Sequence, residues 1–132
     1  MKSEILDEIL SLERAALDRW CVGDPSGFLD LSAADVSYFD PFQESRLEDH
    51  GALTALYATL RGQVQISRNE IVNPRVQDLG NAAVLTFQFV SEGSEGTMRW
   101  NCTEVYRRLD GQWKIVHTHW SFVKPVLAPD AA

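Results

Sequence analysis

Basic residues are scarce in this chain. Twelve Lys and Arg stand against nineteen Asp and Glu in 132 residues, for a formal charge of -7. Phosphate contacts need clustered cations, so a nucleic-acid partner is not expected. An anionic membrane surface is disfavoured for the same reason. Cysteine is rarer still. Cys21 and Cys102 stand alone, without a CxxC spacing, which leaves no zinc ribbon and no dithiol redox motif. One disulfide is arithmetically possible, but two reduced, buried thiols are expected. No apolar run approaches the roughly 18 residues of a membrane span. Met1 to Glu4 leads into acidic residues, with no apolar stretch or small-residue cleavage site, so the expectation is a cytoplasmic protein. Repeats, low-complexity tracts and cofactor motifs are also missing, and no cofactor is expected.

What is abundant is aromatic. Four Trp, three Tyr and six Phe exceed what a chain of this size needs to close a core. With 45% hydrophobic residues, the chain can bury one core and is expected to form a single domain over 1–132. A frayed tail is expected over 124–132, where two prolines interrupt the pattern.

The first half reads as helix. Ile5, Ile9, Leu12, Ala16 and Trp20 recur at steps of three and four, widened by Leu6, Leu10 and Leu17, which predicts a helix over 3–21 with Ser3 as cap. Gly23 ends it. Asp24-Pro25 starts a second, short helix, with Asp as N-cap and Pro at its first position. Val36 to Phe39 is a short strand. Residues 49–60 are a third helix, with Asp49 as cap and Leu53, Leu56, Tyr57 and Leu60 on one side. After Gly62 the period drops to two. Strands are predicted over 64–78 (bent near Pro74), 82–90, 97–108 and 113–123. Segregated helices and strands indicate an α+β fold, a strongly curved antiparallel sheet closing over three helices. The outer sheet face would then be covered by a second copy in a homodimer.

Asp110-Gly111 is a tight-hairpin signal. A two-residue turn pairs Arg108 with Trp113, Tyr106 with Ile115, Glu104 with His117, Cys102 with His119 and Trp100 with Ser121. All of these then share one sheet face, with Trp120 and Asn101 opposite, whereas a G1 bulge at Gly111 would shift the register by one residue. A carboxylate beside two imidazoles, among rings, can fix a His tautomer and supply an acid, base or hydrogen-bond donor. It can equally be a satisfied Glu-His pair inside the sheet or at a subunit interface. His-x-His also puts two potential metal ligands on one face, but no firm third ligand is evident.

Asp40 lies in Val36-Ser37-Tyr38-Phe39-Asp40-Pro41-Phe42. Enclosure among rings strengthens a carboxylate's hold on a proton, which suits a general base. A strand-end Asp accepting a backbone N–H is the plainer alternative. The segments Pro74 to Val84 and Arg107 to Ser121, with the order of elements along the whole chain, resemble the nuclear transport factor 2-like superfamily, in its ketosteroid isomerase and SnoaL-like branch. Ketosteroid isomerases carry their base as the Asp of a Glu-Asp-Pro-Val segment, after a first helix ending in Gly-Asp. Gly23-Asp24 and Phe39-Asp40-Pro41-Phe42 resemble that arrangement, which implies Asp40 as the base. The family's oxyanion-hole Tyr on the first helix is matched here by Ala16. Its second donor, a protonated Asp on the penultimate long strand, is matched near Glu104. His117 or His119 would supply the missing donor.

Three functions follow as expectations. The chain is an isomerase, cyclase or dehydratase acting on a small apolar carbonyl compound, with Asp40, His117, His119 and Glu104 in the chemistry. Tyr38, Phe42, Tyr57, Trp100, Cys102 and Tyr106 then line the pocket. Alternatively it binds a small ligand without catalysis, or it is an association module with a filled cavity.

Overall fold

In the computed structural model, residues 2–124 are described; most of the expected tail, 125–132, lies outside the described residues. Three helices come first, α1 (Lys2–Trp20), α2 (Ser26–Leu31) and α3 (His50–Leu60). They are interleaved with strands β1 (Ser32–Phe39) and β2 (Leu47–Glu48). Four long strands follow: β3 (Ile66–Asp78), β4 (Ala82–Gly93), β5 (Gly96–Leu109) and β6 (Gln112–Phe122). The fold is α+β, as expected. Among the described residues, no helix is long and apolar enough to cross a membrane.

The sheet is curled and unclosed, in the order β2-β1-β6-β5-β4-β3. The meander from β3 to β6 is antiparallel as expected. β1 was expected as the short strand of an antiparallel sheet; it doubles in length and lies parallel to β6 instead. β2 was not expected, and two residues carry too little pattern to reveal it. α1 already includes Ser3, its expected cap. Asp49 caps α3 as predicted, accepting the Ala52 N–H at 3.0 Å. Asp24 accepts the Ser26 N–H at 3.0 Å, while Pro25, expected as the first helical residue, stands one place before α2. β3 shifts register between Val72 and Arg75, at the expected bend.

The buried stripe of α1, with Ile9, Ala16 and Leu17, packs with Leu85, Tyr106 and Ile115 of the sheet in one continuous core. Full burial of Ile9, Leu17, Leu85 and Ile115 stabilises the fold by roughly 1.5–3 kcal/mol each. The far end of α1 is tied to the start of β3. Ile66 donates its backbone N–H to Cys21 O at 2.9 Å, and Gly62 donates to Gly23 O at 2.9 Å. Gly23 is the pivot: its φ is +90°, and an added Cβ would lie 3.1 Å from Gly62 Cα. Gly23→Ala is therefore expected to lower stability by about 1–2 kcal/mol, through left-handed strain and this crowding. Urea denaturation reads that loss; an unchanged midpoint would show that the junction relaxes freely.

Candidate functional site

Helices and sheet enclose a cavity of about 460 Å³. Leu17, Trp20 and Phe28 of the first two helices and their junction form one side, and Tyr57 and Leu60 of α3 another. Phe89 and Ser91 of β4, Trp100 of β5 and Trp120 of β6 form the sheet wall. Tyr38 and Asp40 enter from the end of β1, with Phe42 just beyond. The rim is built from Gln63 to Gln65 and the Gly93 to Gly96 turn. Packed rings stiffen these walls. The Trp20 and Tyr57 rings lie 5.1 Å apart, and Trp100 and Trp120 meet edge to face at 5.8 Å. Such pairs add about 0.5–1.5 kcal/mol each beyond their burial.

Asp40 is half-buried and held by two donors. The Tyr38 hydroxyl donates to Oδ2 at 2.7 Å and the Phe42 backbone N–H donates to Oδ1 at 2.7 Å. The enclosure expected from neighbouring rings is incomplete, because Phe42 is 68% exposed. The Tyr57 hydroxyl interacts in turn with that of Tyr38. Burial pushes both phenols well above the ordinary tyrosine range. They stay protonated, and so remain donors. A chain of hydroxyls thus runs from α3 through β1 to the one carboxylate inside the aromatic walls.

His117 and His119 lie elsewhere. The hairpin follows the expected register from Leu109/Gln112 to Tyr106/Ile115, then shifts. Val105 pairs with His117 and Glu104 with Thr118, so Val116 is an extra residue in β6. A single inserted residue exchanges the faces of everything beyond it. Thr118 and Trp120 turn inward, so Trp120 faces the cavity rather than the outer sheet face where it was expected. His117 and His119 turn outward, beside Phe39 at 5.8 and 5.0 Å. His117 Nδ1 is 2.7 Å from the Ser37 hydroxyl. The carboxylate expected beside it is absent; partial burial and then the neighbouring His119 lower its pKa. Among the described residues, no group of three His, Cys, Asp or Glu could hold a metal ion. The phase change is legible in the sequence: Trp113 and Ile115 are odd-numbered, whereas the inward aromatic Trp120 is even-numbered.

Of the residues expected around a ligand, Asp40, Tyr38, Phe42, Tyr57 and Trp100 line the cavity. Glu104, Cys102 and Tyr106 lie in the core beneath it, no more than 2% exposed. Glu104 meets a partner the sequence reading missed, Glu13 of α1, and both are fully buried. Tyr106 donates to Glu13 Oε1 at 2.7 Å, and Thr118 donates to Glu104 Oε2 at 3.2 Å. The other oxygens, Glu13 Oε2 and Glu104 Oε1, have no further partner, and the two side chains bond to each other. Two bare carboxylates cannot share a dry site, so one proton sits between them. Burial first, and then the charge of Glu13, push the Glu104 pKa well above the carboxylate range. Burial raises the Glu13 pKa as well, so the proton belongs to the pair. Glu13 was detectable as an acid inside the apolar stripe, four residues from both Ile9 and Leu17.

A carboxyl whose pKa is raised on folding stabilises most below its unfolded value, about 4.3, and that stability is lost as pH rises through the folded value. Glu104→Gln keeps a donor toward Glu13 and removes the titration. Thermal melts from pH 4 to 9 should show little change at the acid end and a smaller alkaline loss than in the parent protein. Parallel curves for the two would contradict the shared proton.

The sequence profile of the SnoaL-like domain family matches residues 14–125. A solved "putative ketosteroid isomerase" from Parabacteroides distasonis is 44% identical, with a TM-score of 0.84 over 92% of this chain and 89% of that one. An NTF2-like protein of unknown function from Pseudomonas putida is 24% identical, with a TM-score of 0.80 over 92% of this chain and 88% of that one. The association domain of C. elegans CaMKII, at 19% identity, has a TM-score of 0.76 over 91% of this chain and 97% of that one. These last two are alike in fold. No curated protein matches the chain.

Proposed function

The chain belongs to the SnoaL-like domain family, and from that premise we propose that its cavity binds a small, largely apolar carbonyl compound and that Asp40 moves a proton beside the carbonyl. The observation that carries this reading is the position of Asp40, a carboxylate on the wall of an aromatic cavity at the end of a hydroxyl chain. The 44% identical "putative ketosteroid isomerase" supports it. Asp40 takes a proton from the carbon next to the carbonyl. The electron pair moves onto the carbonyl oxygen as an enolate, and the proton returns at the same or a conjugated carbon. The enolate oxygen needs a preorganised donor in a site of low polarity. His117 and His119 face away, and Glu104 shares its proton with Glu13. The phenol of Tyr57 takes the role instead: as charge develops it turns its single O–H from Tyr38 to the enolate oxygen, while Tyr38 keeps donating to the Asp40 carboxylate.

Deuterium exchange next to the carbonyl of cavity-sized ketones, followed by NMR, tests this directly. Asp40→Asn should slow exchange by about a hundredfold or more, and Tyr57→Phe by about a hundredfold, with both variants still binding ketone. Ligands that bind the parent protein without exchange would leave a non-catalytic binding protein on the same cavity.

A further inference from the structure

The cavity wall is unusual in its charge. Among the described residues no Lys, Arg or His lines it, whereas two carboxylates do: Asp40 inside and Glu95 on the rim, in the β4 to β5 turn. The nearby arginines of the helical layer are already engaged. Arg14 bonds Asp18 and Asn69, while Arg19 and Arg61 converge on Asp24. Arg99 pairs with Val90 in the sheet, between Met98 and Trp100, so alternation turns it away from the cavity. The walls are rings: Trp20, Tyr38, Tyr57, Phe89, Trp100 and Trp120. Aromatic faces carry negative potential, and a cation in contact with them gains about 0.5–2 kcal/mol. The whole molecule, at -7, draws cations toward such a cleft. An anionic ligand would meet two carboxylates here and no counter-charge.

We propose that the cavity selects ligands carrying a positive charge, a protonated or quaternary amine on a small apolar body. The amine lies against the rings between Asp40 and Glu95. This rests on the reading of the cavity as a small-molecule site and not on Asp40 acting as a base. A carbonyl substrate would then be an amino-ketone, with its cationic end toward Glu95 and its acidic C–H toward Asp40.

Three phenyl-bearing probes of similar size test the charge. Benzyltrimethylammonium is the cation, neopentylbenzene its uncharged carbon isostere, and 3-phenylpropionate the anion. Binding is followed by quenching of the cavity tryptophans in the full chain, at low and high salt. The cation should bind about tenfold more tightly than the isostere, with the anion weakest, and salt should erode that preference. Glu95→Gln and Asp40→Asn should each reduce the preference for the cation over the isostere several-fold. Equal affinities, preference for the anion, or a preference that survives both variants would overturn the proposal. If none of the three binds, the proposal falls together with the ligand-cavity reading. Exchange of neutral ketones without any preference for the cation would sink this proposal alone.

Discussion

One extra residue in β6 determines what the cavity contains. Tyr106 faces Ile115, yet Val105 faces His117, so the chain spends Val116 without a partner. The parallel neighbour yields at the same place: β1 advances from Ser32 to Ser37 while β6 advances only from Ile115 to His117. Beyond this bulge the inward set is Thr118 and Trp120, and the two imidazoles go to the outer face. Without it, His117 would stand beside Glu104, and Trp120 would leave the cavity. The aromatic, cation-free wall and the buried hydrogen bond from Thr118 to Glu104 follow from that single insertion.

The interior then manages its charges by two different devices. Glu13 and Glu104 are cut off from water and share a proton, with Tyr106 and Thr118 satisfying the remaining side of each. That arrangement joins α1 to the sheet through polar groups and avoids two unpaired buried charges, each of which would cost several kcal/mol. Asp40, only half-buried, keeps two donors and lies on the cavity wall. The first pair is sealed beneath the cavity and the second carboxylate is available to a ligand. This difference in access, rather than residue type, separates the structural acids from the candidate base.

Much of this was legible in the residues. Helical periodicity located α1 and α3, and the Asp49 cap was readable because Asp at that position has a local partner. The Asp110-Gly111 turn fixed the first hairpin pairs, since turn chemistry and register are set within a few residues; both turn residues have positive φ, of 51° and 79°. Of the ten residues read as one group, the cavity holds Asp40, Tyr38, Phe42, Tyr57 and Trp100, while His117, His119, Glu104, Cys102 and Tyr106 do not line it. Three features escaped. β1 pairs with a strand about 80 residues away, and no local pattern reports a parallel neighbour. The bulge broke the assumption of strict alternation, although the change of phase between Ile115 and Trp120 marked it. Glu13 was passed over because an acid on a helix usually faces water, and here a proton shared with Glu104 on β5 made its burial tolerable.

If the bulge in β6 sets what the cavity contains, a bound ligand touches the inward aromatic set and not the histidines. Intermolecular nuclear Overhauser effects from a small hydrophobic ketone to assigned side chains measure this directly. Contacts are expected to the Trp100 and Trp120 indoles and the Tyr57 ring, with none to the imidazoles of His117 and His119. Strong contacts to those imidazoles, with Trp120 silent, would contradict the bulge and the site built on it.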